Sequence, residues 1–280
     1  MRCLRPLALC LPLLVVSADA GFAQSALDRM RAQGHARIAV ANEPPITEVK
    51  PDGTVTGAAV EVARATLKKM GVPDVSATVS PFNSMIPGLQ AKRFDMITAG
   101  LKMRAQRCEA ILFSQPDICD AQGLLIKKNG AKRPHSYADL LAMKARLGVL
   151  PASDGQAEAR KAGIADDMTV LVPDIQSGLK LLQDGRIDAY LLPVLSLEDL
   201  VKKSGDPNVE VIAPAGGSAI NCAGVGFRKE DLALRDAYDA ALKELKNSGE
   251  FDSIMRRFGL NPDLAKQTDR QKLCGGPNRS

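Results

Sequence analysis

The chain has 280 residues with 45% hydrophobic and 25% charged side chains and a formal net charge of +5, proportions that fit one or two folded domains and exclude disorder as the main state. Aromatics make up only 4%, with no Trp, which argues against a nucleic-acid platform of stacked rings, and the two His residues are too few for a His-rich metal site. The first segment reads as an export signal: Arg2 and Arg5 are basic, Leu7 to Val16 is apolar but too short to span a bilayer, and small residues reach Ala23, where cleavage is expected. Removing residues 1–23 takes Arg2, Arg5 and Asp19 and leaves a net charge of +4, which is no argument for a nucleic-acid partner.

The elements follow in chain order. Arg37–Val40 reads as a strand, 57–70 as a helix, 75–80 as a strand, 84–92 as a short helix and 95–99 as a strand. The rhythm restarts with a strand at 146–149, a helix at 177–184 and a strand at 187–192. Leu89-Gln90-Ala91-Lys92-Arg93-Phe94-Asp95-Met96 echoes Leu182-Gln183-Asp184-Gly185-Arg186-Ile187-Asp188-Ala189, each copy ending a helix and entering a strand through Asp. Strands at 209–212 and 223–227 and helices at 231–247 and 250–258 complete the chain. Two similar α/β lobes are expected, joined by two crossings near 120–130 and 213–226, with a ligand cleft between them. The first lobe is drawn as 24–127, the second as 128–215, and the return to the first lobe with its tail as 216–280.

Cys3 and Cys10 leave with the signal, so Cys108, Cys119, Cys222 and Cys274 remain. An even count in an exported chain suggests two disulfides with three possible connectivities. Cys108–Cys119, closing a short loop, and Cys222–Cys274, pinning the tail, are the expected pairs. With no CxxC and no nearby His, a zinc site has little support, and no metal or other cofactor is expected.

Asp95 to Lys128 resembles the signature stretch of family 3 bacterial extracellular solute-binding proteins, through the strand and Gly turn Asp95–Leu101, the pair Gln106-Arg107 and Phe113-Ser114-Gln115-Pro116. The resemblance is closest to the ectoine and hydroxyectoine binders, on Ala41-Asn42-Glu43-Pro44-Pro45, Cys119-Asp120-Ala121, Leu192-Pro193-Val194-Leu195-Ser196 and further short matches from Arg37 to Cys274. It implies the two-lobed, type II periplasmic binding fold. The implied function is capture of a small zwitterionic or carboxylated solute, ectoine-like or a polar amino acid, for the membrane permease of an ABC importer. The implied protein is periplasmic, monomeric and not an enzyme. Other bearers of the fold leave two alternatives, a cyclohexadienyl dehydratase-like enzyme and an accessory protein of a dehydrogenase.

Arg107 is the leading ligand residue, because a guanidinium offers a planar fork suited to a carboxylate. Glu43, just past the first strand, occupies the position that faces the cationic ring in ectoine binders, and Phe82 the position of an aromatic that stacks on it. Ile46 and Lys102 stand where that family carries two further aromatics. Asp154 replaces a small polar residue of the second lobe, and either pairs with Lys102 across the cleft or binds a ligand amine. The second-lobe Asp of the amino-acid binders maps near Leu192, which is apolar here. Both histidines, His35 and His135, read as surface residues.

Overall fold

The computed structural model describes residues 25–275; the expected export segment 1–23 lies outside the described residues. Two five-stranded sheets organise the chain. In the first, the strands run in the order Asp74–Val79, His35–Val40, Met96–Ile97, Gly226–Phe227, Leu112–Phe113. In the second, the order is Thr169–Leu171, Leu147–Val149, Ala189–Pro193, Gln122–Lys127, Val209–Ile212. Each sheet has a parallel part built by strand-helix-strand units, with antiparallel strands supplied where the chain passes between lobes.

Helix Ala58–Lys69 lays Ala59, Val62, Ala63, Thr66 and Leu67 into the first lobe, whose main core is completed from the far end of the chain by Phe227, Tyr238, Leu242 and Phe251. The helices Leu232–Asn247 and Glu250–Arg257 therefore do return to the first sheet, as the expected topology requires. In the second lobe, helix Ile175–Gln183 packs Leu179 and Leu182 against Tyr190 and Leu192. Gly178 is needed there: a Cβ at this position would run into the Tyr190 ring.

The echoed segments take equivalent places. Asp95 accepts from the backbone N–H of Arg37 at 3.1 Å and pairs with its guanidinium at 2.8 Å. Asp188 accepts from the backbone N–H of Arg146 at 2.8 Å and from its guanidinium at 3.5 Å. In both lobes the Asp that enters one strand is tied to an Arg within or just before its parallel neighbour.

The return crossing falls inside the expected stretch 213–226 and the first just ahead of 120–130, but the lobe boundaries differ from those expected. The chain crosses first at Ile118–Asp120 and returns at Asn221–Ala223, and these two strands pair antiparallel as the hinge. Gln122–Lys127, assigned from sequence to the end of the first lobe, is an inner strand of the second sheet. The two strands are separated by Ala121 alone, so no loop in the sequence marks the change of lobe. At the return, Ala215 and Gly216 still bond Gln122 and His135 of the second lobe, which places the boundary later than 215. The expected strand 223–227 is two strands, separated at Gly224, where a Cβ would meet Met103 and Ser114.

The disulfides also differ. Cys119 pairs with Cys222 and Cys108 with Cys274, not Cys108 with Cys119 and Cys222 with Cys274. Cys119 and Cys222 face each other in the register of the two hinge strands, with Cα atoms 4.1 Å apart. Cys108 lies on helix Ala105–Ala110, against which the terminal helix Arg270–Gly275 packs, bringing Cys274 within 5.7 Å between Cα atoms.

Candidate ligand site between the lobes

A small cavity lies between the lobes, and all six sequence-predicted ligand residues, Glu43, Ile46, Phe82, Lys102, Arg107 and Asp154, line it. It sits beyond the C-terminal ends of the parallel strands, where open α/β sheets present their loops.

Glu43 follows strand His35–Val40 in a tight turn: its carbonyl accepts from the N–H groups of Ile46 and Thr47, and its own N–H donates to the Thr47 hydroxyl. The turn drives the carboxylate into the cleft, where it is buried and accepts from the Ser196 hydroxyl of the second lobe at 3.2 Å. Burial raises this carboxyl to about 7, and the nearby charge of Asp120 adds to the rise, while Ser196 and Lys102 oppose it.

Ile46 packs beside Gly100, whose positive φ of +64° closes the turn after Met96–Ile97; a Cβ there would come within 2.8 Å of the Ile46 side chain. Phe82 opens helix Phe82–Gln90 and touches apolar groups of both lobes. It is the single aromatic wall of the cavity, the remaining apolar lining being Ile46, Ala99, Leu150, Leu191 and Leu192 with Pro193.

Arg107, on helix Ala105–Ala110, is buried, and its guanidinium donates to the carbonyl of Lys102 at 2.8 Å and to that of Ala152 at 2.7 Å. Burial lowers it to about 9, helped by Arg104 and resisted by Asp154, so it stays cationic at neutral pH. Asp154 begins helix Asp154–Lys161, whose cap is reciprocal: the Ser153 hydroxyl accepts from the Gln156 N–H, and the Gln156 side chain accepts from the Ala152 N–H.

Asp154 does not pair with Lys102. Its ion-pair partner is Arg104, at 3.9 Å, while Lys102 lies 2.5 Å from Asp120. The reason is the hinge: Lys102 bridges Ala223 on one crossing strand, and Asp120 ends the other, so the two meet before the second lobe is reached. Asp120, Arg104, Gln122 and Ser196 were not singled out from sequence. Asp120 carried a signal, an acid beside a crossing cysteine, whereas Ser196 is brought to Glu43 only by the juxtaposition of the lobes. His35 bonds the Gln33 carbonyl and His135 is exposed; neither lines the cavity.

The profile of bacterial extracellular solute-binding proteins, family 3, matches residues 36–261. A probable amino-acid ABC transporter periplasmic-binding protein of Sinorhizobium fredii is 31% identical over 259 residues, covering 89% of this chain and 85% of that protein. The arginine-binding extracellular protein of Bacillus subtilis is 24% identical, covering 75% and 80%. Among solved structures, EhuB in complex with hydroxyectoine superposes with a TM-score of 0.86 at 50% identity, covering 89% of this chain and 97% of that one. An ancestral arginine-binding protein bound to arginine gives 0.72 at 25%, covering 81% and 98%. The chain, with its two sheets, paired crossings and charged cleft between the lobes, belongs to the bacterial extracellular solute-binding proteins, family 3.

Proposed function

We propose that this protein captures a small zwitterion in its cleft for delivery to the permease of an ABC importer. The observation that carries the reading is one pair of buried, oppositely charged groups facing one cavity: the guanidinium of Arg107 and the carboxyl of Glu43. Arg107 holds the solute carboxylate and Glu43 its cationic nitrogen. Ile46 and Phe82 cover the apolar body, and Asp154 lies on the second-lobe side as a further acid. Lys102 contributes a charge already shared with Asp120. The family implies the solute and the permease as partners and an extracytoplasmic site of action. The basic and apolar start of the chain supports export with cleavage after Ala23, and the protein acts as a monomer.

The reading is non-catalytic. The observation that favours an enzyme is Glu43, a buried carboxyl near 7 that has the properties of a general acid. A dehydratase on this fold would convert a cyclohexadienyl substrate; a carrier would leave every bound solute intact.

A thermal-shift screen of the exported protein against ectoines, betaines, polar amino acids and simple carboxylates tests the proposal. A solute that binds only the folded state raises the melting temperature by mass action. Zwitterions are expected to raise it and carboxylates without a cationic group to leave it unchanged. A response confined to simple carboxylates overturns the assignment of Glu43.

A further inference from the structure

Lys102 and Asp120 form a buried ion pair that uses only part of its hydrogen-bonding capacity. Lys102 is 3% exposed, the Asp120 side chain 7%, and their charged atoms lie 2.5 Å apart. Yet beyond each other, neither Lys102 Nζ nor Asp120 Oδ1 has a hydrogen-bond partner among the described residues. An ammonium carries three donors and a carboxylate oxygen two lone pairs, the pair itself spends one of each, and leaving the rest unused inside a protein is unfavourable. Both residues line the cavity together with Glu43 and Arg107.

We propose that Lys102 and Asp120 are specificity-determining residues that select a zwitterion carrying an additional uncharged donor-acceptor group, a hydroxyl or a carboxamide. This rests on the zwitterion reading above and names the third group that the solute presents. The logic is electrostatic. A second carboxylate reaching the pair would be attracted by Lys102 but repelled by Asp120, and a second ammonium the reverse. A methylene would leave both unsatisfied. A hydroxyl accepts from Nζ while donating to Oδ1, and a carboxamide does the same with its oxygen and NH₂. Burial pushes the Asp120 carboxyl up while Lys102 holds it down, so a donor that adds to Lys102 favours the charged pair.

Matched solutes test this by calorimetry: ectoine against hydroxyectoine, proline against 4-hydroxyproline, and 2-aminobutyrate against homoserine. At least one hydroxylated member is expected to bind fivefold or more tighter than its partner, and the double variant Lys102→Met/Asp120→Leu is expected to bring the two members of the pair to equal affinity, whatever that affinity is. Asp120→Asn, which keeps the shape, supplies the same comparison if the double variant does not fold. Ratios below fivefold in every pair that binds, or a preference that survives these substitutions, overturn the proposal and leave the zwitterion reading standing. Failure of every solute in the panel to bind overturns both.

Discussion

The guanidinium of Arg107, in the first lobe, donates to the carbonyl oxygen of Ala152, in the second, at 2.7 Å. Its other terminal nitrogen holds the Lys102 carbonyl of its own lobe. Two of its five N–H donors are engaged this way, leaving three for a solute carboxylate. Glu43 repeats the arrangement through Ser196. The two side chains proposed to grip the solute thus also join the lobes, which ties recognition to closure.

Ser196→Ala tests that link. Removing a single hydroxyl-carboxylate bond is expected to weaken solute binding about 2- to 13-fold, from the usual worth of such a bond, without altering either lobe. Solution scattering is expected to show a smaller radius of gyration when wild type is saturated with its solute. An unchanged affinity in the variant contradicts the coupling.

The Glu43 carboxyl titrates near 7 in the folded protein, above its ordinary value of 4.5. The unfolded chain therefore ionises first, and the stability this group contributes is fully present below about pH 4.5 and lost as the pH rises through 7. Its deprotonation inside the fold costs about 3 kcal/mol. Glu43→Gln is expected to raise the melting temperature of the solute-free protein at pH 8 and change it little at pH 4.5. Binding runs in the opposite sense: a cationic nitrogen needs the ionised form, so affinity is expected to fall as the pH drops from 7 to 5, approaching tenfold per unit at the acid end, and the Gln variant to lose that dependence. Calorimetry in buffers of different ionisation enthalpy counts the released proton directly.

The disulfide Cys119–Cys222 clamps the two hinge strands to each other and closes a separation of 103 residues. On chain-entropy grounds a cross-link over that length is worth about 4.7 kcal/mol. Replacing both cysteines by Ser is expected to lower the melting temperature more than replacing any exposed serine pair. Peptide mapping without reduction is expected to recover Cys119 with Cys222 and Cys108 with Cys274.

Lys92 sits in the left-handed region, with φ of +58°, at the turn whose counterpart in the second lobe is Gly185, with φ of +70°. An L side chain is strained there and glycine is not. Lys92→Gly is expected to stabilise the protein by about 0.5–1 kcal/mol, read from denaturant unfolding.

Local pattern carried much of the fold. The strand and helix segments of each lobe follow from their apolar periods, and the shared Leu-Gln-to-Asp text marks equivalent turns because Asp95 and Asp188 make the same bond to Arg37 and Arg146. What stayed hidden depends on strands far apart in sequence. Cysteine pairing is set by the register of Ile118–Asp120 against Asn221–Ala223, and the same register gives Lys102 to Asp120 instead of Asp154. Ser196 enters only as the end of a matching stretch with no role attached; the juxtaposition of the lobes brings it to Glu43.

The central claim is that a zwitterion is held in the cleft by its carboxylate on Arg107. Calorimetric titration of wild type and Arg107→Ala with the solute found by thermal shift tests it most directly. The account predicts saturable binding of one solute per chain in wild type, weakened in the variant by about 2–5 kcal/mol, as for other buried charge pairs that lose one partner. Equal affinity in the two proteins, with the variant folded, would contradict it.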